Sequence, residues 1–84
     1  MTNAELMQII SYSKETGKIT RLDNGPNEVM IGDYWTLKLP DEKNPIVSNR
    51  IAVFFVTGKW PKGNMKRKNN IRTDNRFDNL IFKT

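Results

Sequence analysis

The chain has 84 residues with a net charge of +5, and it contains neither Cys nor His. This length predicts a single small domain over residues 1–84, and the lack of Cys excludes a disulfide scaffold and favours a reducing compartment such as the cytoplasm. The lack of His removes the commonest general base and metal ligand, and no apolar run of about 18 residues or secretory pattern is found, so we expect no metal, cofactor or membrane contact.

The N-terminal part of the sequence predicts a short helix, a strand and a loop. Thr2 and Glu5 have the spacing of a capping box, and the apolar residues that follow recur at helical spacing. We therefore expect a helix over about residues 3–11. Gly17 then closes a turn that leads into a short strand, and residues 23–28 consist of turn formers and predict a loop.

Two strands are predicted in the middle of the chain. Apolar and polar residues alternate over residues 34–39, which places Trp35, Leu37 and Leu39 on one buried face. A polar turn follows, and residues 45–47 are expected to return as the second strand.

The segment that follows predicts a buried helix over residues 49–57. Residues 51–56 are wholly apolar, and their β-branched and aromatic side chains would also suit a strand. Ser48 or Asn49 as an N-cap and Gly58 as a left-handed end favour the helix.

The last part of the chain is strongly basic. Residues 59–63 predict a turn and residues 80–82 a terminal strand. Residues 49–84 carry nine of the fourteen Lys and Arg residues but only two of the nine acidic residues. Such a one-ended positive field indicates an anionic partner, with nucleic acid as the first candidate.

Several stretches of the sequence resemble the phage HNH (His-Me finger) homing-type endonucleases. The Trp-Pro-Lys-Gly and Asp-Asn-Arg-Phe-Asp-Asn-Leu sequences within residues 57–63 and 72–80 are similar to the core of that family. Residues 50–53 resemble its first core helix, and residues 13–20 and 32–39 resemble its upstream hairpin and strand. The resemblance implies an α+β fold with a small antiparallel sheet, an N-terminal helix, a buried central helix and a truncated ββ remnant of the HNH motif.

The departures from the family pattern fall on the residues that carry its chemistry. Lys66 takes the place of the metal-binding Asp, Arg67 that of the general-base His, and Asn49 that of another His, while Asn69 is retained. The family's following helix with its second metal ligand is also missing before Thr84. Protonated Lys cannot ligate a metal and Arg cannot accept a proton, so the resemblance implies a degenerate nuclease that is not an enzyme.

We expect the basic second half to bind nucleic acid, double-stranded DNA first, through contacts to phosphates that carry little sequence information. The candidate binding residues are Lys59, Lys62, Lys66, Arg67, Lys68, Arg72 and Arg76. Asp74, Asn75 and Asn79 are expected to tie the loop by hydrogen bonds to the backbone rather than to take part in catalysis. Trp60 fits turn packing better than stacking on a base.

Three alternatives stay open. The chain could be a phage counter-defence inhibitor of the anti-CRISPR or anti-restriction type, whose basic patch meets a host defence protein or ribonucleoprotein complex. It could also be a decayed homing endonuclease without a selected role, or an active nuclease after all. The sequence indicates neither the target nor the oligomeric state.

Overall fold

The computed structural model describes all residues from Met1 to Thr84, and it confirms the predicted α+β class. Its helices are α1 (Asn3–Leu6) and α2 (Ser48–Thr57), its strands are β1 (Ile10–Tyr12), β2 (Ile19–Arg21), β3 (Val29–Ile31), β4 (Tyr34–Leu37), β5 (Ile46–Val47), β6 (Lys62–Arg67) and β7 (Leu80–Lys83), and a 3-10 turn spans Phe77–Asn79. The strands form three separate antiparallel sheets, β1-β2, β3-β4-β5 and β6-β7, instead of one. Neither helix has the length and apolar character needed to span a membrane.

The first helix begins as predicted but is much shorter. The Thr2 hydroxyl accepts a hydrogen bond from the Glu5 backbone N–H, and the Glu5 carboxylate accepts one from the Thr2 backbone, which is the capping box. The helix ends at Leu6, so the expected helix over residues 3–11 is wrong beyond its first turn. Ile10 and Tyr12 instead lie in β1, where pairing with β2 buries both side chains. Sheet pairing and burial override the helical spacing of these residues.

Two hairpins follow, and a glycine with positive φ sits in the turn of each. Gly17, with φ of +77°, lies in the turn between β1 and β2, as the sequence predicts. Gly32, with φ of +61°, and Asp33 form the two-residue turn between β3 and β4. Glycine at the first of two turn positions suits the twist of such a hairpin. β3 was not predicted from the sequence, because all three of its residues are exposed and show no buried alternation.

The central strand β4 is shorter than the predicted strand over residues 34–39. It ends at Leu37, which is buried, and Leu39 lies beyond it but also in the core. Thr36, expected on the solvent side, is buried because β3 flanks it on one side and β5 on the other. Its hydroxyl donates to the carbonyl of Val29 at 2.8 Å, which satisfies the buried group.

The buried central helix is confirmed. It begins at Ser48, and Gly58 ends it in the left-handed region with φ of +80°. The predicted side-chain cap is wrong, because the N-cap is Val47 and no side chain bonds there. The Ser48 hydroxyl donates instead to the Glu28 carboxylate, and Asn49 is buried with a side-chain oxygen that has no partner.

Both halves of the chain contribute to one apolar core. Four consecutive residues of α2, from Ile51 to Phe54, are buried, as expected for a helix that sheets and loops surround. The other core residues come from the N-terminal elements, the region of β4 and the start of β7, namely Leu6, Ile10, Tyr12, Ile19, Leu37, Leu39 and Leu80. The C-terminal hairpin is therefore anchored on the same core as the first helix.

A pair of glycine substitutions tests how closely the two halves pack. A Cβ atom on Gly17 would lie 2.3 Å from the backbone carbonyl carbon of Asn75, whereas one on Gly32 would meet nothing within 4 Å. Both residues have positive φ, so each Ala variant carries the same backbone strain of about 1–2 kcal/mol. We expect Gly17→Ala to lower the free energy of unfolding in urea clearly more than Gly32→Ala does. Equal losses would contradict the close approach.

Candidate nucleic-acid interface

The basic C-terminal hairpin brings lysines from both of its strands together. Lys62 of β6 lies directly opposite Lys83 of β7, and Lys66 lies opposite Ile81. The register shifts between Lys62 and Lys66, where Gly63 has φ of +67°. Like charges on directly opposed residues of a hairpin are unfavourable. Lys83 was not among the predicted binding residues, although the predicted terminal strand just before it was the signal that could have placed it beside β6.

Arg67 differs from its neighbours in β6 because it is buried, with only 8% of its surface exposed. Its guanidinium donates to the Asn75 side-chain oxygen at 2.7 Å and lies 5.5 Å from the centre of the Tyr34 ring. Burial lowers the pKa of Arg67, yet an arginine stays charged under such conditions. Its Nε atom is buried without a hydrogen-bond partner. The structure thus separates Arg67 from the exposed cations with which the sequence grouped it.

Four of the predicted binding residues surround one depression in the surface, which we call the basic pocket. It has a volume of about 430 Å³ and is lined by Lys66, Arg67, Lys68 and Arg72 together with Tyr34 and Asn70. No acidic residue lines it. The larger groove of about 660 Å³ is different, because a single lysine, Lys18, and a carboxylate, Glu28, line it. The basic pocket is therefore the better anion site of the two.

Arg72 forms one rim of the basic pocket and connects it to the β3–β4 hairpin. Its guanidinium donates to the Asp33 carboxylate at 2.7 Å and lies 5.8 Å from the centre of the Tyr34 ring. The Arg72 and Asp33 side chains are 60% and 70% exposed. An ion pair so open to water contributes about 0–1 kcal/mol, so Arg72 can exchange this carboxylate for a phosphate at little cost.

The remaining predicted binding residues lie outside the basic pocket. The Arg76 guanidinium donates to both carboxylate oxygens of Asp74, at 2.9 and 2.6 Å. This contact holds the pKa of the Asp74 carboxyl well below its usual range and raises the pKa of Arg76. Lys59 is exposed just beyond the end of α2. Next to it, Trp60 stacks on Phe54 with ring centres 4.3 Å apart, which is the packing role that its sequence context favoured.

The three residues assigned to the loop all bond within or beside it. The Asn79 side chain donates to the backbone carbonyl of Asp74 and to the Asn69 side chain, and accepts from the Asn69 backbone N–H. The Asn69 side chain in turn donates to the Asp74 carboxylate at 2.8 Å. Asn75 accepts from Arg67 through its side chain and from the Tyr12 hydroxyl through its backbone carbonyl. These bonds fix the loop that carries Arg72 at the pocket rim.

The structure contains no cluster of three or more His, Cys, Asp or Glu side chains that could hold a metal ion. Lys66 is exposed and Arg67 is buried. Comparison with family models, curated proteins and solved structures finds no match to this chain. The similarity to the HNH endonucleases is a resemblance of sequence motifs alone.

Acidification tests the role of Asp74 in the loop. Its folded pKa lies below its ordinary value of 3.8, so its stabilising effect is complete above that value and is lost as the pH falls below it. We expect Asp74→Asn to be less stable than the parent protein by about 1 kcal/mol at pH 7, with a difference that shrinks as the pH falls below about 4. Urea unfolding over a pH series measures this difference.

The matched control is Asp78→Asn, four residues further along the chain. The Asp78 residue is exposed. Its carboxylate does not bond Arg76, whose guanidinium bonds Asp74 instead. Asp78→Asn should leave stability within about 0.5 kcal/mol of the parent protein. A deficit of Asp74→Asn that did not change with pH would contradict the assigned role of the carboxylate.

Proposed function

We propose that this protein binds nucleic acid, with duplex DNA as the first candidate, and that it acts as a binding module rather than as a nuclease. The observation that carries the proposal is the convergence of Lys66, Lys68 and Arg72 on one pocket that no carboxylate lines. These three cations have a single carboxylate among their partners, that of Asp33 on Arg72, and together they create a positive potential that attracts a phosphate backbone.

The distribution of ion pairs supports the proposal. The three salt bridges of the protein involve Arg21, Arg72 and Arg76. None of the exposed lysines of the C-terminal hairpin takes part in one, and these are Lys62, Lys66, Lys68 and Lys83. Their charges are therefore free to displace the counterions of a phosphate backbone, which gives affinity that depends steeply on salt.

The surroundings of Lys66 and Arg67, the two residues that replace the family's metal ligand and general base in the sequence resemblance, favour binding over catalysis. Lys66 would repel a divalent cation, and Arg67 is engaged with Asn75 and cannot take a proton from water. A basic patch in this place instead supplies positive charge directly to a phosphate.

The absence of Cys favours a reducing cytoplasm, and we place the protein there, in the bacterial host of a phage.

The position of α2 favours contacts to phosphates over contacts to base edges. Direct readout of duplex DNA usually inserts an exposed helix or ribbon into the major groove. The middle of α2, from Ile51 to Phe54, is buried in the core and is unavailable for this purpose. The proposed binding is therefore largely independent of sequence.

The exposed strand β3 favours a second candidate, the counter-defence inhibitor. It lies at the edge of its sheet and presents three apolar side chains, Val29, Met30 and Ile31, to solvent. Exposed apolar edge strands are places where other protein chains add on. A tight protein or ribonucleoprotein partner combined with weak affinity for DNA would favour this candidate.

The first test is binding of a fluorescent random-sequence duplex at low and at physiological salt. With about four phosphate contacts, a fourfold rise in salt should lower the affinity on the order of 100-fold. We expect Lys66→Ala/Lys68→Ala to weaken binding. The slope of log affinity against log salt concentration should also become shallower by about two, because about two fewer counterions are released. Arg67 is left unchanged because it is buried, so a substitution there would disturb the fold and binding together.

The matched control is Lys18→Ala/Lys43→Ala, which removes two exposed lysines of the first half of the chain. It changes the net charge by the same amount as Lys66→Ala/Lys68→Ala does, and it should weaken binding less than that variant. Equal losses in the two double variants would indicate a diffuse charge effect instead of a site. Absence of binding at low salt would refute the proposed function.

A further inference from the structure

The basic pocket has an apolar wall as well as its cations. Met65 and Ile81 line it beside the charged residues. Ile81 is 46% exposed, and Met65 is partly buried against the core. Because Ile81 lies directly opposite Lys66 in the hairpin, the two side chains emerge on the same face of the sheet. The pocket therefore offers an apolar surface within reach of positive charge.

The buried guanidinium of Arg67 also indicates a ligand. Asn75 and the Tyr34 ring hold the group in place at the pocket wall, but its Nε atom has no hydrogen-bond partner. Buried polar groups of folded proteins are rarely left unpaired. An anion in the pocket would bring negative charge close to this guanidinium and to the Lys66 and Lys68 ammonium groups.

The size and shape of the pocket select among nucleic acids. Its volume of about 430 Å³ lies in the range of roughly 300–1,000 Å³ that is usual for pockets holding small ligands. In a duplex the bases are stacked and paired inside, so a duplex can bring only phosphates to the mouth of a concave site. An unpaired nucleotide brings both a phosphate and a free base face, which match the cations and the apolar wall.

We infer that the basic pocket takes one unpaired nucleotide of a single strand, with its phosphate against Lys66, Lys68 and Arg72 and its base against Met65 and Ile81. The inference rests on the nucleic-acid binding proposed above and changes the preferred ligand from a duplex to a single strand. The exposed lysines of the hairpin bind any phosphate backbone, whereas the apolar wall adds affinity only where a base is free to enter.

The experiment compares a short fluorescent DNA strand of mixed sequence with the blunt duplex of that strand, at the same salt concentration. We expect the single strand to bind about tenfold more tightly, because one base face is buried against apolar side chains. Ile81→Thr should lower this preference several-fold while the duplex affinity stays unchanged, because the variant keeps a β-branched residue in β7 and all of the charges.

Val29→Thr is the matched control, since Val29 is a comparably exposed apolar strand residue that does not line the pocket. It should leave the preference unchanged. A duplex bound as tightly as the single strand, or a preference that Ile81→Thr does not alter, would overturn the inference but not the proposed function. Absence of binding to both probes at low salt would overturn both. The comparison of the two probes on the unaltered protein remains decisive if Ile81→Thr does not fold.

Discussion

The hydrogen bonds of Asn75 hold the N-terminal and C-terminal parts of the molecule together. Its side-chain oxygen accepts from the buried Arg67, and its backbone carbonyl accepts from the hydroxyl of Tyr12. Asn75 is 2% exposed, and its backbone lies against Gly17, where no side chain would fit. Burial raises the pKa of the Tyr12 phenol, which keeps the group neutral and available as a donor. The position of the pocket relative to the core depends on this junction.

The sequence predicted those elements that local rules determine. The capping box at Thr2 and the left-handed end of α2 at Gly58 depend on neighbouring residues alone, and both are confirmed. The first helix was predicted too long because residues 10–12 also fit a helical spacing, and only their pairing with β2 decides against it. β3 was missed because its three residues are all exposed and show no buried alternation. Ser48 was expected to cap α2 but bonds Glu28, twenty residues earlier in the chain, which no local pattern shows.

Less of the candidate site could be predicted than of the fold. The composition identified the basic end of the chain, but it gave every cation in that end the same weight. In the structure Arg67 is buried and Arg76 is bonded to Asp74, while Lys83, which was not predicted, lies beside Lys62. These distinctions depend on which strand faces the core and on which carboxylate lies nearby. The part of Tyr34 in holding two guanidiniums is also visible only in three dimensions.

The chemistry of the loop around the pocket is consistent with a site that must keep its positive charge. Each carboxylate placed in this loop would neutralise part of the positive field of the pocket. Here the amides of Asn69, Asn75 and Asn79 provide much of the bonding, and they satisfy backbone and guanidinium groups without adding negative charge. Asp74, the one acid in this network, is paired with Arg76, whose charge offsets it. The pocket thus keeps its cations without an acidic residue in its lining.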